Sequence, residues 1–351
     1  MTKTAEDRGY TGPLDGTKPS QNRRASFHDY CEPAIYMFTV KKNPDIPPFS
    51  RIEGNPRMLS GRDVPRVVHS EIGRILAEEI LKTPKMRPTQ IRIRQLMIMP
   101  DHVHIMLEVL TRLNYPVTKI VAQILSATTL NCRRCGLIQP SASAFDLEGI
   151  NDRILYGAGQ LDILYNYIAD NPRRYLIKKL HPDLFTRRSG IRFGNNNDAY
   201  KDLKVEKNPI VRMDCVGNIF LLRQSLKQVH VRSFWTDDQV LRFEEECRRH
   251  VTAGGVLISP FISPKERKIM HEAIERGGRV IRITDRGFGE RWKPSGREFE
   301  LCAEGRLLVM AESGISTRRE EMHYRKASHL NRVAAHIVET AAAKKFYLTK
   351  S

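Results

Sequence analysis

A chain of 351 residues with 40% hydrophobic side chains is long enough for two domains, each with its own core. Lys and Arg number 58 against 40 Asp and Glu, a formal charge of +18, which concentrates a polyanion such as nucleic acid near the surface. No apolar run approaches the roughly 20 residues of a membrane-spanning helix, and that class is excluded. The excess charge is +9 in residues 1–200 and +9 in the remainder, so it is no single basic tail. Six cysteines are scattered at positions 31, 132, 135, 215, 247 and 302, and the N-terminus has no apolar signal core. Both features point to a reduced, cytoplasmic protein. Cys132-Arg133-Arg134-Cys135 is the only CxxC and has no second pair to complete a zinc site, so it reads as coincidence.

Residues 1–30 are polar and aperiodic, the expectation being a disordered leader. A strand follows at Ala34–Val40, then a Pro-rich excursion from Asn43 to Pro65 and a helix from Val67 to Leu81. Strands are expected at Ile91–Met99 and His102–Val109, with a helix over Val117–Arg133 placing Ile120, Val121, Ile124 and Leu125 on one face. Arg153–Tyr156 reads as a further strand and Gln160–Asp170 as a helix. Pro172 fits the first position of another helix, to Leu180, capped by Asn171. Arg187–Lys207, with Gly194-Asn195-Asn196-Asn197, reads as a linker and places a domain boundary near residue 200. The first domain, 31–200, is thus expected to be α+β and ferredoxin-like. Beyond it, over 201–351, strands and helices alternate: 211–222, 236–250, 255–259, 264–276, 279–284, 307–311 and 327–340. This is a parallel α/β pattern.

The chemistry concentrates in Met99-Pro100-Asp101-His102-Val103-His104-Ile105-Met106-Leu107. On a strand, His102 and His104 share a face about 7 Å apart while Val103 and Ile105 turn to the other, which makes a two-imidazole clamp for a metal. Histidine pairs also occur in sheets as ordinary hydrogen-bonding residues, and the strand alone leaves both readings open. The later run Tyr165-Asn166-Tyr167-Ile168-Ala169-Asp170-Asn171-Pro172 places Tyr167 and Asn171 four apart, on one helix face. A tyrosine there can act as a nucleophile, and an asparagine amide oxygen can ligate a hard divalent cation.

On these segments, with Asn151-Asp152-Arg153-Ile154, the chain from about 33 to 181 resembles the HUH single-tyrosine transposases, in particular their REP-associated branch. The resemblance implies Tyr167 as nucleophile, with His102, His104 and Asn171 holding Mg²⁺ or Mn²⁺; Asn171 has the second reading of a helix cap. It implies cleavage and rejoining of single-stranded DNA, with hairpins, through a 5′-phosphotyrosine. Tyr156, Tyr165 and Tyr175 are competing tyrosines, set aside by the motif. Arg153, Arg173, Arg174, Lys178 and Lys179 read equally as a solvated face or as phosphate contacts to DNA. The segment 43–65 departs from the family as an insertion, and the tract before Asn151 lacks the tryptophan-bearing stretch often found there.

In the second half, Gly254-Gly255-Val256-Leu257-Ile258-Ser259-Pro260-Phe261-Ile262-Ser263-Pro264, Gly217-Asn218 and the loop from Gly287 to Arg291 resemble Rossmann-like domains of the DNA-processing protein A and LOG type over 211–340. That likeness implies a phosphate or nucleotide ligand at a helix N-terminus. A scaffold or interaction domain without a ligand is the other reading, with Lys265, Glu266 and Arg267 as helix surface. A homodimer is compatible with the sequence. Two further functions stay open: host-maintenance processing of chromosomal hairpins by the same chemistry, and a non-catalytic nucleic-acid-binding protein.

Overall fold

The computed structural model describes residues 28–155, 158–194, 210–290, 292–318, 320–342 and 346–347. The leader before residue 28, the competing Tyr156 and the linker run from Asn195 lie outside the described residues. The chain divides into two compact units, Met1–Lys179 and Leu180–Ser351.

In the first unit, β1 (Ala34–Lys42) is followed by a hairpin of β2 (Ser50–Glu53) and β3 (Arg66–His69), then α1 (Glu71–Met86), β4 (Ile91–Ile98) and β5 (His102–Val109). Next come α2 (Val117–Arg134), β6 (Phe145–Leu155), α3 (Ala158–Ala169) and α4 (Asn171–Leu180). The main sheet has the order β4-β5-β1-β6 with every neighbouring pair antiparallel. Period-two alternation gives that sheet two apolar faces. On one, Tyr36, Phe38, Val40, Val103, Ile105 and Leu107 form a core with Leu76 and Ile80 of α1 and Ile120, Val121 and Ile124 of α2. On the other, Met37, Met106 and Leu155 receive Leu164 and Ile168, the buried residues of α3, four apart on one side of that helix. Burial of those two side chains contributes about 1.5–3 kcal/mol each and holds α3 over the sheet.

Two expectations are corrected here. Val67 and Val68 do not open the helix: they pair with Ile52 and Arg51 in the hairpin, where β-branched residues fit a pleated surface. The helix starts after Ser70, whose hydroxyl accepts the Gly73 amide. The last strand is also longer than 153–156, running from Phe145 and pairing with β1 through Phe38↔Asp152 and Thr39↔Asn151.

The second unit contains β7 (Arg188–Phe193), β8 (Val211–Gly217), β9 (Leu226–Gln228), α5 (Asp237–Thr252), β10 (Val256–Ser259), α6 (Pro264–Glu275) and β11 (Arg279–Ile283). It continues with α7 (Gly296–Ala303), β12 (Leu307–Glu312), α8 (Tyr324–Ala342) and β13 (Phe346–Tyr347). The sheet order is β13-β7-β8-β12-β11-β10-β9. It is parallel from β9 to β12 but antiparallel through β8, β7 and β13, so the expected all-parallel pattern covers only part of it. Arg188–Phe193 was expected in a linker; it is a strand because Ile191 and Phe193 bury against the sheet core. That strand places the division of the chain at Lys179, before residue 200. One sheet face packs on α8 through Leu330, Val333, Ala334 and Ile337. The opposite face carries Cys247 and Val251 of α5, Ile269 and Ala273 of α6, and Leu301 and Cys302 of α7. Both units together are a mixed α/β chain with antiparallel sheets, and no helix among the described residues is long and apolar enough to cross a membrane.

Candidate active site on the first sheet

β5 turns His102 and His104 to the face that carries α3, as the period-two reading requires, and the neighbouring Val103 and Ile105 to the helical core. The two Nε2 atoms stand 3.1 Å apart. His102 Nδ1 lies 2.8 Å from Asp101 Oδ1. Because an ionised carboxylate only accepts, that nitrogen carries the proton and His102 Nε2 is left with a lone pair. His104 Nδ1 lies 2.9 Å from Thr39 Oγ1, on the strand that pairs Thr39 with His104. His104 is only 4% exposed, and burial, followed by the field of His102, pushes its pKa down to about 3. The Asp101 carboxyl is held below its usual range, first by the His102 hydrogen bond and also by the nearby Lys178 cation.

Tyr167 sits on α3, 41% exposed, its ring centroid 6.2 Å from that of His104. The Arg174 guanidinium carbon lies 5.5 Å from the Tyr167 ring centroid. The competing tyrosines are placed differently. Tyr165 donates its hydroxyl to the Arg94 carbonyl at 3.2 Å and packs in the α3 cluster. Tyr175 is half-buried, and burial together with Asp101 pushes its phenol pKa up, which disfavours the phenolate.

Asn171 is the first residue of α4 and is buried. The Arg174 amide bonds the Asp170 carbonyl and not the Asn171 side chain, and the Asn171 side-chain nitrogen has no hydrogen-bond partner. That orphan is an N–H donor, which an acceptor such as a phosphate oxygen would satisfy, whereas the amide oxygen is the atom able to ligate a cation. Among the described residues no three His, Cys, Asp or Glu side chains come together as a metal site, so a third protein ligand would be an uncharged oxygen, for which the Asn171 amide is one candidate. The histidine pair fits a divalent ion. Two ligands at about 2.1 Å and at right angles lie about 3.0 Å apart, close to the 3.1 Å between the Nε2 atoms. Asp101 supplies the outer carboxylate that orients a ligating imidazole.

The five basic candidates separate. Arg173 is bound by both oxygens of Asp170, at 2.6 and 3.1 Å. Arg174 lies on Tyr167 and within 4.0 Å of Asp170. Lys178 acts on Asp101. Arg153, opposite Met37 in the register, is on the sheet face that carries α3, and Lys179 is exposed. Sequence reasoning did not single out Thr39, Asp101 or Lys41, the cross-strand partner of His102. Register between strands far apart in the chain, absent from local periodicity, brings Thr39 and Lys41 there; Asp101 was readable from its place beside His102.

In the second unit the Gly-rich motifs serve the backbone. Gly254 ends α5 in the left-handed conformation at φ 82°. Gly217, at φ 117°, lets β8 approach the Leu307 carbonyl, which a Cβ would meet at 2.2 Å. Asn218 then accepts the Phe220 amide and donates to the Gly305 carbonyl. The α6 N-terminus already has protein partners: Ser263 Oγ accepts the Glu266 amide, and Glu266 Oε2 accepts the Ser263 amide. Glu266, expected on the helix surface, is buried and also accepts the Val231 amide. A buried carboxylate there opposes a phosphate. The six cysteines are free; Cys132 is buried in the core and Cys135 is exposed.

No known family profile matches the chain, and no curated protein matches it. Among solved structures, it is similar to a REP-associated tyrosine transposase bound to a REP hairpin, with 15% identity and a TM-score of 0.29 over 43% of this chain and 74% of that one. It is also similar to DNA processing protein A from Helicobacter pylori, described for its single-stranded DNA binding mode, with 16% identity and a TM-score of 0.28 over 44% of this chain. This chain spans 66% of the length of that protein.

Proposed function

We propose that this chain is a metal-dependent single-stranded DNA transposase or endonuclease that cleaves and rejoins DNA through a 5′-phosphotyrosine on Tyr167. On this reading the first unit is a ferredoxin-like HUH domain, with Mg²⁺ or Mn²⁺ held by His102, His104 and Asn171, and the second a Rossmann-like domain extended by antiparallel strands. The observation that carries it is the convergence of the two Nε2 atoms at 3.1 Å beneath the accessible ring of Tyr167, 6.2 Å from His104.

When bound, the cation supplies charge to the scissile phosphate oxygens. The side chains do the rest. The Tyr167 hydroxyl gives up its proton to solvent, and its oxygen forms a bond to phosphorus as the bond to the 3′-oxygen breaks. The 3′-oxygen takes a proton and leaves as a hydroxyl; rejoining is the reverse, with a 3′-hydroxyl displacing the tyrosine. The 5′-phosphate stays covalently on the protein between the two steps. Asp101 holds His102 in the tautomer whose Nε2 faces inward. Burial keeps His104 neutral at any ordinary pH. His104 Nε2 likewise offers a lone pair in the tautomer whose Nδ1–H donates to Thr39 Oγ1. The +18 charge supports a nucleic-acid substrate. Labelled single-stranded hairpin DNA, incubated with the protein and Mn²⁺, is expected to be nicked by the native chain and not by Tyr167→Phe or in EDTA; nicking by Tyr167→Phe at the native rate would overturn the assignment.

A further inference from the structure

We propose that Arg174 is a positioning residue for Tyr167, holding the phenol ring beside the histidine pair, and not a phosphate contact to DNA. The inference builds on the reading of Tyr167 as nucleophile. Arg174 lies in the first turn of α4, seven residues after Tyr167 on α3, and helical side chains lean toward the N-terminus. Its guanidinium therefore reaches back to lie 5.5 Å from the ring centroid.

The residue is only 9% exposed, too enclosed for a side chain meant to meet a backbone phosphate. Asp170, whose carboxylate binds Arg173 with both oxygens, lies 4.0 Å from it and adds a favourable charge. Asp170 stands between α3 and α4. The same carboxylate thus stands beside both arginines at the junction of the two helices. Leu164 and Ile168 hold α3 on the sheet, while the ring of Tyr167 is 41% exposed and meets His104 at a centroid distance of 6.2 Å. The guanidinium supplies a second constraint on that ring. Lysine, a point charge on a flexible stem, is a poorer partner for an aromatic ring than a guanidinium.

The two roles predict opposite behaviour of Arg174→Lys, which keeps the charge and loses the plane. The full chain is assayed with Mn²⁺ and labelled single-stranded hairpin DNA for the rate of covalent adduct formation, and without metal for DNA affinity over a range of salt. A 3-fluorotyrosine placed at position 167 reports ring order by ¹⁹F NMR. Positioning predicts that Arg174→Lys slows adduct formation roughly ten-fold with unchanged DNA affinity and salt slope, and alters the ¹⁹F resonance. Asp170→Asn, which removes that favourable charge, is expected to give the same signature. A native rate and native ¹⁹F signal in Arg174→Lys would overturn the proposal. So would Arg174→Gln that weakens DNA binding with a salt slope lower by about one. If Tyr167→Phe still forms adduct, the nucleophile reading fails, and the ¹⁹F comparison alone decides whether Arg174 orders the ring.

Discussion

Acid should unfold the first unit through His104, and the size of the effect follows from its burial. An unfolded histidine takes up a proton near pH 6.5, whereas the buried ring resists protonation until about pH 3. Between those values the unfolded chain binds one more proton than the folded one, so stability falls as pH falls, by about 1.4 kcal/mol per pH unit from this residue. From pH 6.5, where the unfolded ring is already half protonated, to pH 4.5 the loss is about 2.3 kcal/mol, a large share of the 5–15 kcal/mol that usually separates folded from unfolded chains. The contribution is fully present above pH 6.5. The assay is urea unfolding in EDTA at pH 7.0 to 4.5, read by mass spectrometry of a pyridyl disulfide label on Cys132, a thiol fully buried in the first unit's core. His104→Gln keeps a polar partner for Thr39 and has no proton to gain. The native chain should lose about 2.3 kcal/mol more than the variant between pH 6.5 and pH 4.5. Equal pH dependence in the two proteins would refute the argument that this imidazole is buried in its neutral form.

Ile168→Ala removes a fully buried side chain beneath α3 and should cost about 2–4 kcal/mol, visible as faster amide hydrogen exchange in α3. Asp101→Asn leaves His102 without its orienting carboxylate and should weaken Mn²⁺ binding by roughly 10- to 100-fold in calorimetry. Glu266→Ala strips partners from the Val231 and Ser263 amides and should destabilise the second unit by about 1–3 kcal/mol, followed by fluorescence of Trp235 and Trp292.

The alternation of His102, Val103, His104 and Ile105 announces which side chains share a sheet face, and the spacing of Leu164 and Ile168 announces how α3 docks. Both are local periodicities, and both are realised. The surroundings of the histidines were less legible. Thr39 lies 65 residues from His104, and only the β1–β5 register joins them. Asp101 adjoins His102 in sequence, but its role depends on the rotamer that bends its carboxylate back to Nδ1. Arg188–Phe193 read as a linker because charged and small residues interrupt its apolar positions, yet pairing with β8 makes it a strand. Glu266 read as helix surface because a charged residue in a first turn is usually solvated. Here tertiary packing buries it, with its carboxylate spent on two backbone amides.

The most direct test of the central claim is to digest the protein after reaction with single-stranded hairpin DNA and Mn²⁺, and to locate the attached nucleotide by mass spectrometry. The account predicts a 5′-phosphate ester on Tyr167, absent in EDTA and in His104→Gln. Nucleotide attached to Tyr165 or Tyr175, or nicked DNA with no protein-linked 5′ end, would contradict it.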